Sequence, residues 1–337
     1  MPQFEPYPII LLRKEDVLAL EEMGSKRKGW VQVADDSERW LFKYARITNG
    51  QVTGEHWAEK VAAEVAALFH IPHARVELAT LDGAPGCVSR RFPELANPGA
   101  ELIHGNDLLA GVVLRYDRMK QFRQNDHTLE NIFAAISRVI PNPQEREAAF
   151  RQLAGYVILD ALILNTDRHH ENWALIRNID ARGVVVHTIA PTFDHASSLG
   201  RNEPPEKLAA WLAEPWRPRW YANRSLCRGG IYLRSTDTHG ANPLKLLELV
   251  VRKWPKYVVP WLPNLEHVTE EAICDTVNLV PSETMMQEQR DFSKALPTSR
   301  LKRFCHEDSI FSVARQAIKE PARGRQPGMV SDRTIGG

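Results

Sequence analysis

The chain has 337 residues, 43% hydrophobic and 25% charged, with a formal net charge of +1. Those proportions are ordinary for a globular protein, and the length suits one large domain or two lobes. Near-neutral charge, with no basic block interleaved with aromatics, argues against a nucleic-acid binder, and no run of about 18 apolar residues marks a membrane span.

The apolar run at residues 8 to 12 reads as a strand or a packed arm, and Asp16 as the cap of a short helical stretch through Glu22. Met23-Gly24-Ser25-Lys26-Arg27-Lys28-Gly29 then places two glycines, a serine and three cations in seven residues. Backbone amides next to glycine can approach an anion, and Lys26 and Lys28 add charge, so the loop suits a phosphate; an exposed basic turn is the plainer reading. Residues 30 to 33 and 40 to 44 read as a hairpin. Lys43 lies inside its second strand between Phe42 and Tyr44. A lysine there either faces outward from an edge or bridges phosphates and a glutamate from a nearby helix.

A helix over 55 to 69 supplies that glutamate. Trp57, Val61, Val65 and Leu68 share a face, Pro72 ends the helix, and Glu59 and Glu64 are both candidates. Strands follow at 76 to 80 and 87 to 92 around Asp82-Gly83, and the Pro-, Gly- and Asn-rich stretch 93 to 107 reads as a connection. Residues 1 to 95 thus form a small lobe of mixed sheet and one helix. The chain beyond is mainly helical. Thr128 caps a helix starting at Leu129, and Glu145 to Leu164 is a long helix apolar on most sides, hence buried.

That helix leads into Asn165-Thr166-Asp167-Arg168-His169-His170-Glu171-Asn172-Trp173. A strand, a turn over 178 to 183 and a returning strand then lead to Ala190-Pro191-Thr192-Phe193-Asp194. A hairpin brings its two ends together, so Asn172 and Asp194 can reach one magnesium ion while Asp167 accepts a proton from an attacking hydroxyl. Each of these residues alone is as well explained as a turn or cap residue. Their combination with Lys43 and a helix glutamate points to phosphoryl transfer. His169, His170 and His195 raise a zinc or iron hydrolase as a distant alternative, but adjacent histidines do not readily face one ion, and His169 is better read as orienting the loop. The chain has no Gly-x-Ser-x-Gly nucleophile elbow.

Together the two motifs resemble those of the HipA-type serine/threonine kinases, the bacterial persistence-toxin kinases and their shorter relatives. The family pattern is Asn-x-Asp-x-His-x-x-Asn, a hairpin, then Ala-Pro-x-aromatic-Asp, and the likeness runs from about residue 20 to 200. It implies an α+β, two-lobed protein-kinase-like fold, with a mixed-sheet N-lobe over 1–95 and a helical C-lobe over 96–320. It also implies ATP and magnesium as cofactors, Asp167 as catalytic base, Asn172 and Asp194 as metal ligands, Lys43 on the nucleotide phosphates, and residues 23 to 28 as the phosphate loop, with Ser25 a candidate autophosphorylation site. By its distance from Ala66 and His70-Ile71-Pro72, Glu59 matches the family's helix glutamate better than Glu64. The resemblance implies a protein substrate and an antitoxin partner. Two departures stand out: Glu171 replaces a lysine common before the metal asparagine, and the longer N-terminal region of full-length toxins is not matched. A small-molecule or lipid kinase and a nucleotide-binding pseudokinase are the alternatives.

Beyond residue 200 the signal thins. Helices are expected around Leu208–Leu212, around Leu244–Val251 and within 288–319, with Trp216–Tyr221 a packed aromatic corner. The tail 321–337, with Arg323 and Arg325, is expected to be disordered. Cys87, Cys227, Cys274 and Cys305 form no Cys-x-x-Cys pair, so neither a cysteine zinc site nor a disulfide framework is expected. The first residues lack a signal-peptide plan, and a cytoplasmic location is expected.

Overall fold

The computed structural model describes residues 5–21, 28–34, 36–48, 50–121, 123–223, 227–305 and 310–319. The first half is organised by a six-stranded sheet. Its strands are β1 (Ile9–Leu12), β2 (Val17–Glu21), β3 (Lys28–Gln32), β4 (Arg39–Tyr44), β7 (Val76–Leu81) and β8 (Ala84–Arg90), in the order β1-β7-β8-β4-β3-β2. The β1–β7 pair is parallel and the others antiparallel. A small ribbon, β5 (Ile47–Thr48) with β6 (Gln51–Val52), precedes helix α1 (Glu55–Leu68).

The expected helix over 16 to 22 is absent. Lys14–Asp16 make a single 3-10 turn, and Val17–Glu21 pair with β3 as an edge strand. Five consecutive residues rich in Val and Leu fit a ladder as readily as a short helix, and the waiting edge of β3 satisfies their backbone groups. The loop expected to bind phosphate lies between these two strands, which pair Glu21 with Lys28. Its residues Met23, Gly24, Ser25, Lys26 and Arg27 lie outside the described residues, as do Arg323, Arg325 and the rest of the tail.

Period-two alternation sets the direction of Lys43. Trp40 and Phe42 are buried with Val31, Ala79 and Val88 on one side of the sheet. The opposite side carries Cys87, which packs with Val76 and with Ala63 of α1, and Cys87 is the cross-strand partner of Lys43. Directly opposed residues share a face, so Lys43 points toward α1. Gly86 lets β8 lie close against β4: a Cβ there would stand 2.4 Å from the Lys43 carbonyl and 2.6 Å from the Phe42 ring. Nearly every residue of α1 is buried, charged ones included, as expected for a helix packed between a sheet and a second body of helices.

Stretch 93–107 holds more than a connection. After a 3-10 turn at Pro93–Ala96, strand β9 (Glu101–His104) joins β10 (Ala174–Ile179) and β11 (Val185–Ile189) in a three-stranded antiparallel sheet, and α2 (Gly105–Ala110) follows. Helices α3 (Leu129–Val139) and α4 (Pro143–Ile163) agree with expectation, capped by the Thr128 and Asn142 side chains. The rest is helical: α5 (Pro205–Leu212), α6 (Arg217–Asn223), α7 (Pro243–Lys253), α8 (Pro255–Val258), α9 (Leu262–His267), α10 (Glu270–Asn278), α11 (Gln287–Cys305) and α12 (Ser312–Lys319). Trp216 and Trp220 sandwich the Arg217 guanidinium at 4.4 and 5.0 Å, yet remain 52% and 41% exposed, so the aromatic corner is only partly packed. Helices α8 to α10 had no counterpart in the sequence reading. One continuous core links α1, α3, α4 and α7. None of the four cysteines is in a disulfide. Among the described residues, no helix is long and apolar enough to cross a membrane.

Candidate active site

Helix α4 ends at Leu164, whose backbone is left-handed (φ 56°). That turn reverses the chain into the loop carrying Asp167 and Asn172. A buried ion pair holds the loop. Arg168 Nε and Nη2 donate to the two Asp160 oxygens at 2.8 and 2.7 Å, and Asn165 Nδ2 donates to Asp160 at 2.8 Å. The third guanidinium nitrogen, Nη1, donates to the Asn172 carbonyl at 2.7 Å and the Phe193 carbonyl at 3.4 Å. One arginine therefore ties α4 to both polar motifs. The sequence reading gave Arg168 no role, although a signal existed: an aspartate inside a helix apolar on most sides needs a buried partner.

Asn172 is buried, and its Nδ2 donates to the Asp167 carbonyl at 2.5 Å. With its N–H end committed there, Oδ1 is the free acceptor end of the amide. Asp167 accepts a 3.4 Å hydrogen bond from Ser197 Oγ on Oδ2. Asp194 has φ 59°, a strained conformation that aspartate tolerates better than most residues.

The structure brings Lys43 to this place. Its Nζ lies 3.2 Å from Asp194 Oδ1, with the two side chains 13% and 29% exposed. Glu59 is 1% exposed behind them. Burial opposes the Lys43 ammonium, but Asp194 and then Glu59 more than offset it and hold its pKa above the ordinary lysine value. Burial, the largest influence, opposes the Glu59 carboxylate too, but Lys43 and His195 together outweigh it, so its pKa is lowered. Lys43 and Glu59 are thus both charged at neutral pH. Glu59 Oε1 is 3.8 Å from His195 Nδ1, too long for a hydrogen bond, and neither Glu59 oxygen has a hydrogen-bond partner. Glu64 instead pairs with Lys60 at 2.6 Å. On the neighbouring strand, Lys28 is the cross-strand partner of Lys43.

The histidines divide among separate tasks. His169 Nδ1 accepts from the Glu171 amide at 3.3 Å, His170 Nδ1 meets the Tyr116 hydroxyl at 2.8 Å, and His195 Nε2 meets Thr192 Oγ1 at 2.8 Å. Among the described residues, no three His, Cys, Asp or Glu side chains gather as a metal cluster. Glu171, standing where the family pattern often has lysine, accepts from Gln121 Nε2. Gly105 and Gly230 let other segments press on the loop, since a Cβ would stand 2.1 Å from the Trp173 indole and 2.6 Å from the Arg168 carbonyl, respectively.

Residues 18–242 match the family model of the HipA-like C-terminal domain. The chain belongs to that family. No curated protein matches its sequence. In three dimensions this HipA-like chain is similar to the Helicobacter pylori proinflammatory kinase CtkA, with TM-score 0.69 and 17% identity over 94% of this chain and 100% of that one. Lower scores relate it to Shewanella oneidensis MR-1 HipA in complex with HipB and operator DNA (0.46, 12% identity, 89% and 68% covered) and to the Golgi casein kinase with Mn/ADP bound (0.45, 11% identity, 93% and 74% covered). The HipA-like chain therefore has an α+β, two-lobed, protein-kinase-like fold.

Proposed function

We propose that this HipA-like protein is a serine/threonine protein kinase, transferring the γ-phosphate of ATP with a divalent cation such as magnesium. The observation that carries the reading is the approach of Lys43, from the sheet, to Asp194, from the end of the β10–β11 hairpin, at 3.2 Å with Glu59 behind. Three segments far apart in sequence meet there as a charge cluster that has no need to be buried for stability.

In this reading Asp167 accepts the proton of the attacking hydroxyl, and Asn172 Oδ1 and the Asp194 carboxylate hold the metal. The donor set is all oxygen, which suits a hard cation such as magnesium rather than zinc. When bound, the cation would supply charge neutralisation for the phosphates. Lys43 holds phosphate oxygens, Glu59 orients Lys43, and His169 lies beside the nucleotide. Lys28, directly opposite Lys43 on the neighbouring strand, adds a second cation to that anion site. Gly24, Ser25 and Lys26 complete the phosphate loop, with Ser25 its autophosphorylation site. The lobes divide near residue 95, where β8 gives way to the turn leading to β9 and the second sheet. A protein substrate and an antitoxin partner belong to the same proposal.

The test is label transfer from γ-labelled ATP, to the protein itself and to lysate proteins. Asp167→Ala should lower the rate by about 10²–10⁴-fold, the usual range for a general base, while nucleotide still binds. Binding without transfer by the unaltered protein would favour a pseudokinase, and transfer to small alcohols alone would favour a metabolite kinase.

A further inference from the structure

Helix α1 reaches the reaction loop by a second route, unrelated to Lys43. Arg201 is 7% exposed, and its Nη1 lies 2.8 Å from Glu55 Oε1, in the first turn of α1, an ion pair without the alignment of a hydrogen bond. Its Nη2 donates to Ser197 Oγ at 2.9 Å. That hydroxyl has one proton, which it gives to Asp167 Oδ2 at 3.4 Å. Ser197 is itself pinned: its carbonyl accepts from the Thr166 amide at 3.0 Å and from Thr166 Oγ1 at 3.2 Å. Burial lowers the Arg201 pKa; Glu55, and further off Asp167 and Asp194, favour its charge.

We infer that Arg201 is a positioning residue, linking α1 to the base through the relay Glu55–Arg201–Ser197–Asp167. One helix then sets both halves of the site: Glu59 faces Lys43, and Glu55, one turn earlier, faces Arg201. A serine that accepts from a cation donates more strongly in turn, so the relay aims Oδ2 and with it the carboxylate that would meet the acceptor hydroxyl. Arg201 touches neither nucleotide nor acceptor. It governs transfer and leaves ATP binding alone. This role rests on the kinase reading of Asp167.

The experiment compares steady-state kinetics of the full chain and its variants with separately measured ATP affinity. Arg201→Met should lower kcat by about tenfold or more, the scale of a misplaced reacting group, with KM and Kd for ATP within about twofold of the original. Arg201→Lys should recover part of the loss, because an ammonium can still donate to Ser197. Ser197→Ala cuts the relay without stranding a buried charge, and its kcat should fall in the same sense, again at constant KM. Unchanged kcat in either Arg201→Met or Ser197→Ala, or a KM that rises as kcat falls, would overturn the relay while leaving the kinase reading intact. An unaltered protein that binds ATP and transfers nothing would sink both.

Discussion

Two of the buried charge clusters near Asp167 are built differently. In the pair Asp160–Arg168, each side chain is 4% exposed, all three guanidinium nitrogens donate, and both carboxylate oxygens accept. In the cluster Lys43–Asp194–Glu59, lysine and aspartate stand 3.2 Å apart, Asp194 is partly open, and both Glu59 oxygens lack a hydrogen bond. A satisfied buried network fixes a geometry, whereas an unsatisfied one is costly and persists where the groups have another task. The first cluster is the frame of the loop; the second is the part that meets a ligand.

The comparison is open to test, beginning with its largest consequence. Arg168→Leu leaves Asp160 as an uncompensated buried charge and frees two backbone carbonyls. Breaking such a pair costs about 3–5 kcal/mol, so calorimetry should show a steep fall in Tm, and activity should vanish with it. A loss below about 1 kcal/mol would show that the frame lies elsewhere.

Acid should attack the frame before it touches the cluster. His127 accepts the Trp173 indole N–H on Nε2 at 3.1 Å and donates from Nδ1 to the Gly230 carbonyl at 2.8 Å. Accepting the indole N–H needs the neutral ring, whereas the bond to Gly230 is open to either form. Burial is the main reason its pKa falls to about 3. A folded-state pKa below the unfolded value means that the unfolded chain binds more protons as pH falls. The stability contributed is therefore complete above about pH 6.5 and is lost progressively toward pH 3, reaching about 2 kcal/mol at pH 5. Lys43, with its pKa raised, and Glu59, with its pKa lowered, keep their charges over that window. Thermal melts between pH 7.5 and 5 should show the decline, and His127→Gln should flatten it. Identical slopes in the two proteins would remove His127 from the frame.

The sequence revealed the second cluster better than the first. Asp167, Asn172 and Asp194 could each pass for a turn or cap residue, and stood out only in combination with a mid-strand Lys43 and a helix glutamate. Choosing Glu59 over Glu64 took the family pattern, since both fit the helix; Lys60, which pairs with Glu64, was the local clue. Arg168, Ser197 and Arg201 look like ordinary loop residues, and only the fold shows what they reach. Strand β2 was misread because five residues carry too little periodicity to separate helix from ladder. Strand β9 was missed because its partner β10 lies about 70 residues away, a pairing no local pattern records. Helices α8 and α9 are one to two turns long with proline at the first or second position, and α10 has nine residues, so their apolar residues mark burial more clearly than period.

The sharpest contrast should come from Glu59→Gln. Removing this charge forfeits attraction to Lys43 but also removes a buried carboxylate with no hydrogen bond, and the two effects oppose each other. Their sum should stay within about 1 kcal/mol, a shift of a few degrees in Tm at most. Phosphoryl transfer should nonetheless fall at least about tenfold, because Lys43 then has only Asp194 to hold it and no longer has a reason to leave that carboxylate for phosphate oxygens. Stability and activity would separate at Glu59, where at Arg168 they fall together. If Glu59→Gln unfolds the protein as readily as Arg168→Leu, the cluster is part of the scaffold too, and the distinction between a fixed frame and a ligand-facing site does not hold.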